Sequence, residues 1–407
     1  MDISRIIKSS TSHIGILTVL GLSTSCNSGA QKQESHEVKA DTLVNFSVRP
    51  ADEWTNLFYL KDGWFGADGV FSMRLDGVEK QGANEDSPVL MYFSDTMTGT
   101  VEGNSVENFK MVNNSIATLT GIEASKENVN IQLNRDVDGT PINYFSPNSP
   151  NSEGHEYYWF GDGFVNQEDD NSINIFGYRV IDHSEESWDF ELTGVTLITI
   201  PQGEKAPFTN HTQIDAPLFM DIPNVGKGTF GSAVYMNTEK AGAPNPDGYA
   251  YVYGLLEPNK QLVVSRVKPS GFTNLETWRY WDGTTWNKDI NTVKPITNRA
   301  SNEVSMTPLK DGRFLLVFQE DGIGEHTSIR IAESLVGPFG PIQRIWKAPE
   351  VNEPPGIIPY NAKAHPVLST ENELLISYNT ISGDYFKDIL KFPHMYRPRF
   401  FWLKIRE

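Results

Sequence analysis

Pairs of β-strand patterns recur along this chain, and their spacing constrains the fold more than any other feature. Each pair combines runs of β-branched and aromatic residues with Gly-, Asn- or Pro-containing turns. The first strands are expected to begin near Asp68, Asp162, Gly231, Glu303 and Ala364, at intervals of 94, 69, 72 and 61 residues. The second strands are expected at Val89–Phe93, Ile173–Tyr178, Tyr249–Leu255, Phe314–Phe318 and Leu374–Tyr378.

Weaker patterns complete each pair to a sheet. Third strands are expected at Ser115–Leu119, Val195–Ile200, Leu262–Val267, Ser328–Ala332 and Phe400–Ile405, and fourth strands at, for example, Val129–Leu133 and Gln343–Trp346. Four-stranded sheets repeated around an axis form a β-propeller. We therefore predict an all-β fold, a five-bladed β-propeller with four-stranded antiparallel blades. A β-sandwich with long loops is the alternative, and the near-regular spacing favours the propeller.

The N-terminal segment reads as a targeting signal rather than as part of the fold. Two basic residues precede the apolar run Ile14–Leu22, which is too short to span a bilayer as a helix. Small residues then lead to Cys26, the only cysteine. We predict a lipoprotein signal peptide over residues 1–25, lipidation at Cys26, a flexible tether over 26–45 and the propeller domain over 46–407.

The net charge of −18 argues against nucleic acid as a partner, because a phosphate backbone requires a basic face. We expect contact with the membrane through the lipid anchor only, in the bacterial cell envelope, at the outer membrane or in the periplasm. A neutral polysaccharide or oligosaccharide is not repelled by this charge. No cofactor or metal is expected, since the chain has no H-E-x-x-H spacing, and Gly226–Gly231 matches G-x-G-x-x-G without a βαβ unit. The sequence leaves the oligomeric state open.

Two segments resemble copies of one another, and each presents an aspartate between glycines. Gly66–Phe71 contains Asp68, and Phe160–Val165 contains Asp162. In a radial fold the starts of the innermost strands converge on one pocket, and paired carboxyl groups in a pocket are the minimum equipment for cleaving a glycosidic bond. The alternative interpretation is that each Asp-Gly pair only forms a turn.

Further polar and aromatic residues accompany these aspartates. Asp95 ends the second strand and should return to the same rim, and Glu303 opens the fourth pair, so both join the candidate catalytic group. The candidate substrate-binding residues are Trp64, Trp159, Asn114, Lys363 and His365. Packing of the sheets, or hydrogen bonding within them, is the alternative role for these five residues.

Several motifs together resemble a bacterial family of five-bladed β-propeller proteins that are similar to glycoside hydrolases, long described as a domain of unknown function. The resemblance covers residues 60–405. Its motifs are Gly66–Gly69, Phe93–Thr96, Asn113–Ser115, Tyr249–Gly254, Arg266, Trp278–Trp286, Ile331–Ala332, Gly337–Phe339, Asn361–Pro366 and Leu375–Asn379. One branch of that family contains endo-D-arabinanases, so the resemblance implies action on an arabinan or another furanoside.

The resemblance also implies roles for the acids. Relatives of the arabinanase and levansucrase type use one Asp as base or nucleophile, a second Asp that tunes it and a Glu as acid, and Asp68 and Asp162 match the first two. The third pair opens with Phe230–Ala233 and lacks that Glu. Either Asp162 is then the acid, or Glu303 is, or the site is not hydrolytic. The leading hypothesis is a lipid-anchored glycoside hydrolase, and the alternative is a non-catalytic surface glycan-binding protein.

Overall fold

The computed structural model describes residues 43–82, 87–121, 123–184 and 188–406. The signal peptide, Cys26 and nearly all of the tether therefore lie outside the described residues. The strands are β1 Asn45–Pro50, β2 Asp62–Ala67, β3 Phe71–Arg74, β4 Val89–Phe93, β5 Thr96–Glu102, β6 Ser105–Val112, β7 Ser115–Leu119, β8 Val129–Gln132, β9 Asn134–Arg135, β10 Pro141–Ile142, β11 Tyr157–Val165, β12 Ile173–Asp182, β13 Phe190–Ile200, β14 Thr212–Ala216, β15 Phe219–Ile222, β16 Gly226–Asn237, β17 Tyr249–Glu257, β18 Gln261–Val267, β19 Arg279–Trp281, β20 Trp286–Asn287, β21 Val304–Pro308, β22 Phe314–Gln319, β23 His326–Ala332, β24 Gln343–Lys347, β25 Ile358–Ala364, β26 Leu374–Ile381 and β27 Arg399–Arg406.

Helices are short throughout the described residues. The α-helices are α1 Asp52–Thr55 and α2 Tyr385–Asp388, and the 3₁₀ helices are Asn56–Phe58, Pro269–Gly271, Leu275–Thr277, Ile290–Thr292, Pro349–Asn352, Pro366–Leu368 and Pro393–Tyr396. Within the described ranges, none of these helices has the length and apolar character needed to cross a bilayer. The all-β prediction is confirmed.

Five antiparallel sheets contain four or more strands each. Sheet I is β3-β4-β7-β8, sheet II is β11-β12-β13-β14, sheet III has six strands from β15 to β20, sheet IV is β21-β22-β23-β24, and sheet V is β25-β26-β27-β1. Smaller sheets are β2-β5-β6 and β9-β10. The predicted second, third and fourth strands all lie in these sheets. Strand β1 was not expected; it pairs with β27 as the outer strand of sheet V, so the two ends of the fold meet.

The innermost strands of successive sheets lie beside one another. Strand β3 contacts β11, β11 contacts β16, β16 contacts β21, and β21 contacts β25. Apolar clusters fill the junctions between sheets, for example Phe71 with Phe160 between sheets I and II. The junction of sheets V and I has its own cluster, which contains Phe93 and Phe400. Burial of these faces holds the five sheets together and keeps their first strands side by side in chain order.

Irregular pairing within the first strands changes two predicted positions. Asp162 lies inside β11, where a bulge separates the pairs formed by Phe160 and Gly163. In sheet V the predicted start near Ala364 is wrong, because β25 ends there. The strand begins six residues earlier and contains a bulge between Tyr360 and Lys363. Bulges redirect side chains, and here they do so next to the centre of the sheets.

Candidate functional site

The pairing of sheet I places two candidate acids side by side. The Asp68 N–H donates to the Asp95 carbonyl at 3.1 Å, and the Ser94 N–H donates to the Asp68 carbonyl at 2.9 Å. Asp68 follows β2 and leads into β3, whereas Asp95 connects β4 with β5. The predicted return of Asp95 to the rim that holds Asp68 therefore agrees with the backbone hydrogen bonds.

Asp68 is half-buried, and only one of its carboxyl oxygens has a hydrogen-bond partner. The Tyr360 hydroxyl donates to Asp68 Oδ2 at 2.8 Å. Asp68 Oδ1 is buried and makes no hydrogen bond within the described residues. Burial raises the pKa of Asp68 to about 6, although the hydroxyls of Tyr360 and Tyr396 oppose the shift by stabilising the anion.

Asp95 is more deeply buried than its neighbour. Asn113 Nδ2 donates to Asp95 Oδ1 at 3.1 Å. Burial raises the pKa of Asp95 well above its usual range, and the negative charge of Asp68 raises it further. The Asn113 amide and the Trp159 indole oppose this shift. Since two adjacent carboxyl groups resist double ionisation, Asp95 favours its neutral form while Asp68 is charged.

Glu303 approaches the same rim from the start of β21. Its Oε2 atom is buried and has no hydrogen-bond partner in the described part of the chain. Burial raises the pKa of Glu303 to about 8, with a further contribution from the negative charge of Asp68, while Lys363 opposes the shift. We refer to Asp68, Asp95 and Glu303 as the rim carboxyls. They come from sheets I and IV, and the effect of the Asp68 charge on Glu303 indicates that these carboxyl groups lie near one another.

Asp162 occupies a different environment from the rim carboxyls. Its Oδ2 atom accepts the Lys363 ammonium at 2.9 Å and the Val234 N–H at 2.8 Å. Lys363 also donates to the Val304 carbonyl at 2.9 Å. Both side chains are nearly inaccessible, with relative exposures of 7% for Asp162 and 4% for Lys363. The pair joins sheets II, III, IV and V through charge-assisted hydrogen bonds.

Glycine makes this junction of sheets II and III possible. A Cβ atom on Gly161 would lie 2.5 Å from the Gly231 carbonyl oxygen and 2.9 Å from the Tyr178 hydroxyl. A side chain in place of Gly161 would therefore displace the neighbouring strand that carries Gly231. The Gly-Asp-Gly sequence around Asp162 therefore serves close backbone packing as well as the orientation of the acid.

His365 is buried between two serine side chains. Its Nδ1 atom lies 2.8 Å from Ser72 Oγ, and its Nε2 atom lies 2.8 Å from Ser377 Oγ. Burial lowers the pKa of His365 to about 3, and Lys363 contributes to the shift. With both ring nitrogens engaged and no exposed surface, His365 links sheets I and V.

Trp64 and Asn114 are likewise engaged within the protein. The Trp64 indole donates to Ser115 Oγ at 3.2 Å, and its ring packs 5.7 Å from that of Phe93. Asn114 exchanges two 2.9 Å hydrogen bonds with the backbone of Phe145. Both side chains are buried. These contacts match the packing alternative considered for them from the sequence.

Trp159 differs from the other predicted substrate-binding residues, because it is only half-buried and lies beside Asp95. Its indole is close enough to lower the pKa of Asp95, yet the indole N–H is buried without a hydrogen bond in the described residues. The ring centroid lies 4.6 Å from that of Phe190 in an edge-to-face arrangement. An unsatisfied donor and an aromatic surface thus lie next to the rim carboxyls.

Sequence reasoning missed several groups at the pocket. Tyr396 and Tyr385 come from the segment between β26 and β27, and both have raised pKa values that reflect burial beside Asp68 and Asp95. A Cβ atom on Gly66 would lie 3.0 Å from the Tyr396 carbonyl oxygen, so this glycine admits the segment. A glycine at position 66 indicates that another segment packs closely against it, but the sequence does not indicate which segment this is.

Glu79 is a further acid that the sequence did not single out. It follows β3, its N–H donates to the Ala241 carbonyl at 3.0 Å, and burial raises the pKa of its carboxyl group to about 8. The negative charge of Asp162 adds to this shift, and the positive charge of Lys363 opposes it. Glu79 therefore faces the buried ion pair. Within the described ranges no three His, Cys, Asp or Glu side chains are grouped as metal ligands.

The rim carboxyls provide the two protonation states that acid–base chemistry requires. Between pH values of about 6 and 8, the ionised form of Asp68 coexists with the protonated form of Glu303. One group then accepts a proton while the other supplies one. The fold and site together define an all-β protein with candidate acid–base carboxyl groups just before the first strands of sheets I and IV.

The chain belongs to the family described as "Domain of unknown function (DUF5005)", which matches residues 51–405. No curated protein matches it with significant sequence similarity. The crystal structure of a hydrolase candidate from Bacteroides ovatus ATCC 8483 is similar, with a TM-score of 0.65 and 19% identity over 88% of this chain and 90% of that chain. This similarity establishes a common fold.

More distant structures also match. An exo-β-1,3-galactanase from Phanerochaete chrysosporium, solved with β-1,3-galactotriose, has a TM-score of 0.44 and 11% identity over 83% of this chain and 60% of that chain. An α-L-arabinofuranosidase from Podospora anserina, solved with cellotriose, has a TM-score of 0.42 and 11% identity over 85% of this chain and 98% of that chain.

Proposed function

We propose that this protein is a glycoside hydrolase with the fold of a five-bladed β-propeller. The observation that carries the proposal is the placement of Asp68 and Glu303 just before the first strands of sheets I and IV, where the charge of Asp68 acts on Glu303. Both are buried carboxyl groups, each retains an oxygen without a partner, and burial separates their pKa values to about 6 and about 8. A charged and a protonated carboxyl group on the two sides of a glycosidic bond constitute the machinery of its hydrolysis.

The roles follow from the preferred protonation states. Glu303 donates its proton to the glycosidic oxygen, so that the leaving group departs as an alcohol. Asp68 either removes a proton from the attacking water or attacks the anomeric carbon itself, and in the second case water then hydrolyses the ester to Asp68. In both cases Asp68 acts as the anion, which the Tyr360 hydroxyl stabilises.

Asp95 supports this division of labour. As a buried neighbour that favours its neutral form, it avoids repulsion with the Asp68 anion, and the Asn113 amide fixes its orientation. The role of acid, which the sequence left open between Asp162 and Glu303, is assigned here to Glu303. Asp162 is instead occupied by contacts with the Lys363 ammonium and the Val234 N–H.

The proposed substrate is a neutral polysaccharide of the envelope or of plant material, with an arabinan or another furanoside as the first candidate. The net charge of −18 disfavours a polyanionic chain. We further propose attachment to the cell envelope through lipidated Cys26. Fractionation of cells that express the wild-type protein and the Cys26→Ser variant tests this point, since only the wild type should enter the membrane fraction.

The clustering at the sheet junctions supports the five-bladed arrangement. Apolar clusters lie between each consecutive pair of sheets and also between sheets V and I. Strand β1, from the N-terminal end, completes the last sheet beside β27. An apolar cluster at all five junctions, including the one between sheets V and I, is what a closed ring of sheets requires.

The test of the function is product release from a panel of bacterial and plant polysaccharides. The protein from residue 43 onward is compared with its Asp68→Asn/Glu303→Gln double variant and with Asp62→Asn, an exposed control at the start of β2. Oligosaccharides from the wild type and the control alone would support the proposal and identify the substrate. Binding to a polysaccharide without any product would instead support a non-catalytic glycan-binding protein.

A further inference from the structure

Exposed aromatic rings lie on the rim of sheet II next to the pocket. Trp188 and Phe190 have relative exposures of 38% and 36%, values that few large apolar side chains of the described residues reach. The Phe190 ring lies 4.6 Å from that of Trp159, and the ring of Tyr157 lies 6.1 Å from Trp159 on its strand. We call Trp159, Phe190 and Trp188, together with Tyr157, the aromatic strip.

The aromatic strip is continuous with the rim carboxyls. The N–H of Phe160, which follows Trp159, donates to Ser94 Oγ at 2.9 Å next to Asp95, and the Trp159 indole lowers the pKa of Asp95. Tyr157 is also near Asp95, whose charge contributes to the raised pKa of the Tyr157 hydroxyl. The strip therefore starts at the reactive centre and extends away from it across the rim of sheet II.

Polar groups alternate with the rings along the strip. The Tyr157 hydroxyl donates to Asp182 Oδ1 at 2.8 Å, and Asp182 pairs with Phe190 in the sheet register. The Trp188 indole donates to the Gly383 carbonyl at 3.2 Å, which fixes its orientation against the segment that follows β26. Apolar faces beside hydroxyl and carboxylate groups match the apolar C–H faces and hydroxyl edges of a sugar chain.

We propose that the aromatic strip binds sugar residues of the polysaccharide beyond the bond that is cleaved. The inference rests on the proposed function and adds a distal subsite to it. A protein partner would favour a wider apolar surface without carboxylates, whereas a glycan uses rings and hydrogen-bonding groups in alternation. Long oligosaccharides then gain affinity that short ones lack, because only long chains reach Phe190 and Trp188.

The experiment compares Trp188→Ala/Phe190→Ala with Phe219→Ala, which removes a ring of 40% exposure on β15 of sheet III. The assay measures KM and kcat on oligosaccharides of increasing length from the polysaccharide that the enzyme cleaves. We expect the KM of the double variant to rise about ten-fold on the longest chains and progressively less on shorter ones, with little change in kcat. An equal loss at every length, or no loss at any length, would overturn the proposal.

Two further arms keep the result interpretable. Trp188→Phe retains a ring but loses the hydrogen bond to Gly383, so retained affinity in this variant would support stacking over a structural role for Trp188. Binding to the same panel of polysaccharides is also measured by affinity electrophoresis. The Glu303→Gln variant is used for this, with and without the strip substitutions. If the protein cleaves nothing but binding still depends on the strip, the hydrolase proposal fails while the subsite is supported. Binding unaffected by the strip substitutions would overturn the subsite.

Discussion

The two glycine-flanked aspartates have opposite environments although their sequences are alike. Asp162 receives an ammonium group and a backbone N–H on one oxygen, at 2.9 and 2.8 Å. Asp68 accepts the Tyr360 hydroxyl on one oxygen, and its other oxygen is buried without a hydrogen bond within the described residues. The same local motif thus builds a cross-link in sheet II and the proposed catalytic carboxyl group in sheet I. The difference arises because Lys363 of sheet V pairs with Asp162 and not with Asp68.

The energetic consequences differ accordingly. A buried ion pair tolerates the loss of one partner poorly, because the remaining charge is left in a medium that solvates it badly. Burial without a nearby cation favours the neutral form of a carboxyl group. This raises its pKa towards the range that catalysis needs. Asp162 and Asp68 thus differ in whether a cation lies against the carboxyl group rather than in whether that group is buried.

The largest expected effect is on activity. Asp68→Asn keeps the size of the side chain but removes the anion, so we expect hydrolysis to fall by roughly 10²–10⁴-fold with the midpoint of thermal unfolding nearly unchanged. Product release and thermal unfolding are measured together, with Asp62→Asn as the control. Full activity in Asp68→Asn would contradict the catalytic role proposed for Asp68. The functional difference between Asp68 and Asp162 would then be unsupported.

The pH profile of kcat/KM sharpens the roles at the rim. Activity should rise as the pH passes about 6, where Asp68 ionises, and fall as it passes about 8, where Glu303 loses its proton. Glu303→Gln should lower the rate by roughly 10²-fold and abolish the alkaline limb, since glutamine does not titrate. An alkaline limb that persists in Glu303→Gln would assign the acid to another group.

The buried pair should respond in stability. Lys363→Met leaves the Asp162 anion without its cation, and we expect the free energy of unfolding to fall by about 3–5 kcal/mol. Denaturant unfolding measures this loss. Combining Lys363→Met with Asp162→Asn should recover part of it, because no uncompensated charge then remains. If the double variant lost as much stability relative to the wild type as the two single variants lose in sum, the coupling would be contradicted.

A smaller effect concerns His365. Its pKa is lowered to about 3 in the folded protein from an ordinary value of 6.5, so its contribution to stability is present above pH 6.5 and is lost as the pH falls towards 3. From pH 7 to pH 5 this loss amounts to about 2 kcal/mol. Unfolding free energies of wild type and His365→Asn at both pH values isolate it. Equal losses in the two proteins would show that His365 does not titrate on unfolding.

Much of the strand pattern could be predicted from the sequence. Runs of apolar and β-branched residues located the second strand of each of the five pairs. Val89–Phe93, for example, coincides with β4. The first strand of sheet V was misplaced, because its bulge around Asn361, whose φ is 56°, interrupts the period-two pattern that a sequence displays. Strand β1 was not predicted, although its Phe46 and Val48 alternate with polar residues and pack against an apolar cluster.

The candidate site was predictable only in part. Asp68, Asp95, Glu303 and Trp159 have local signals, namely turn glycines, strand ends and aromatic neighbours, and the structure brings them together. Trp64, Asn114 and His365 carry similar signals but are buried in hydrogen bonds with residues of other strands. A short sequence window records which chemical groups are present. It does not record their distant partners.

By itself, the sequence determined most strands of the five large sheets and the presence of acids beside glycines, because these depend on side-chain period and on backbone freedom. Only the tertiary structure decided which aspartate has a cationic partner. Lys363 pairs with Asp162, and Tyr360 on the same strand donates to Asp68, although both aspartates lie far from that strand along the chain. Electrostatic interactions act through space, and their partners are chosen by the packing of the sheets around a common centre.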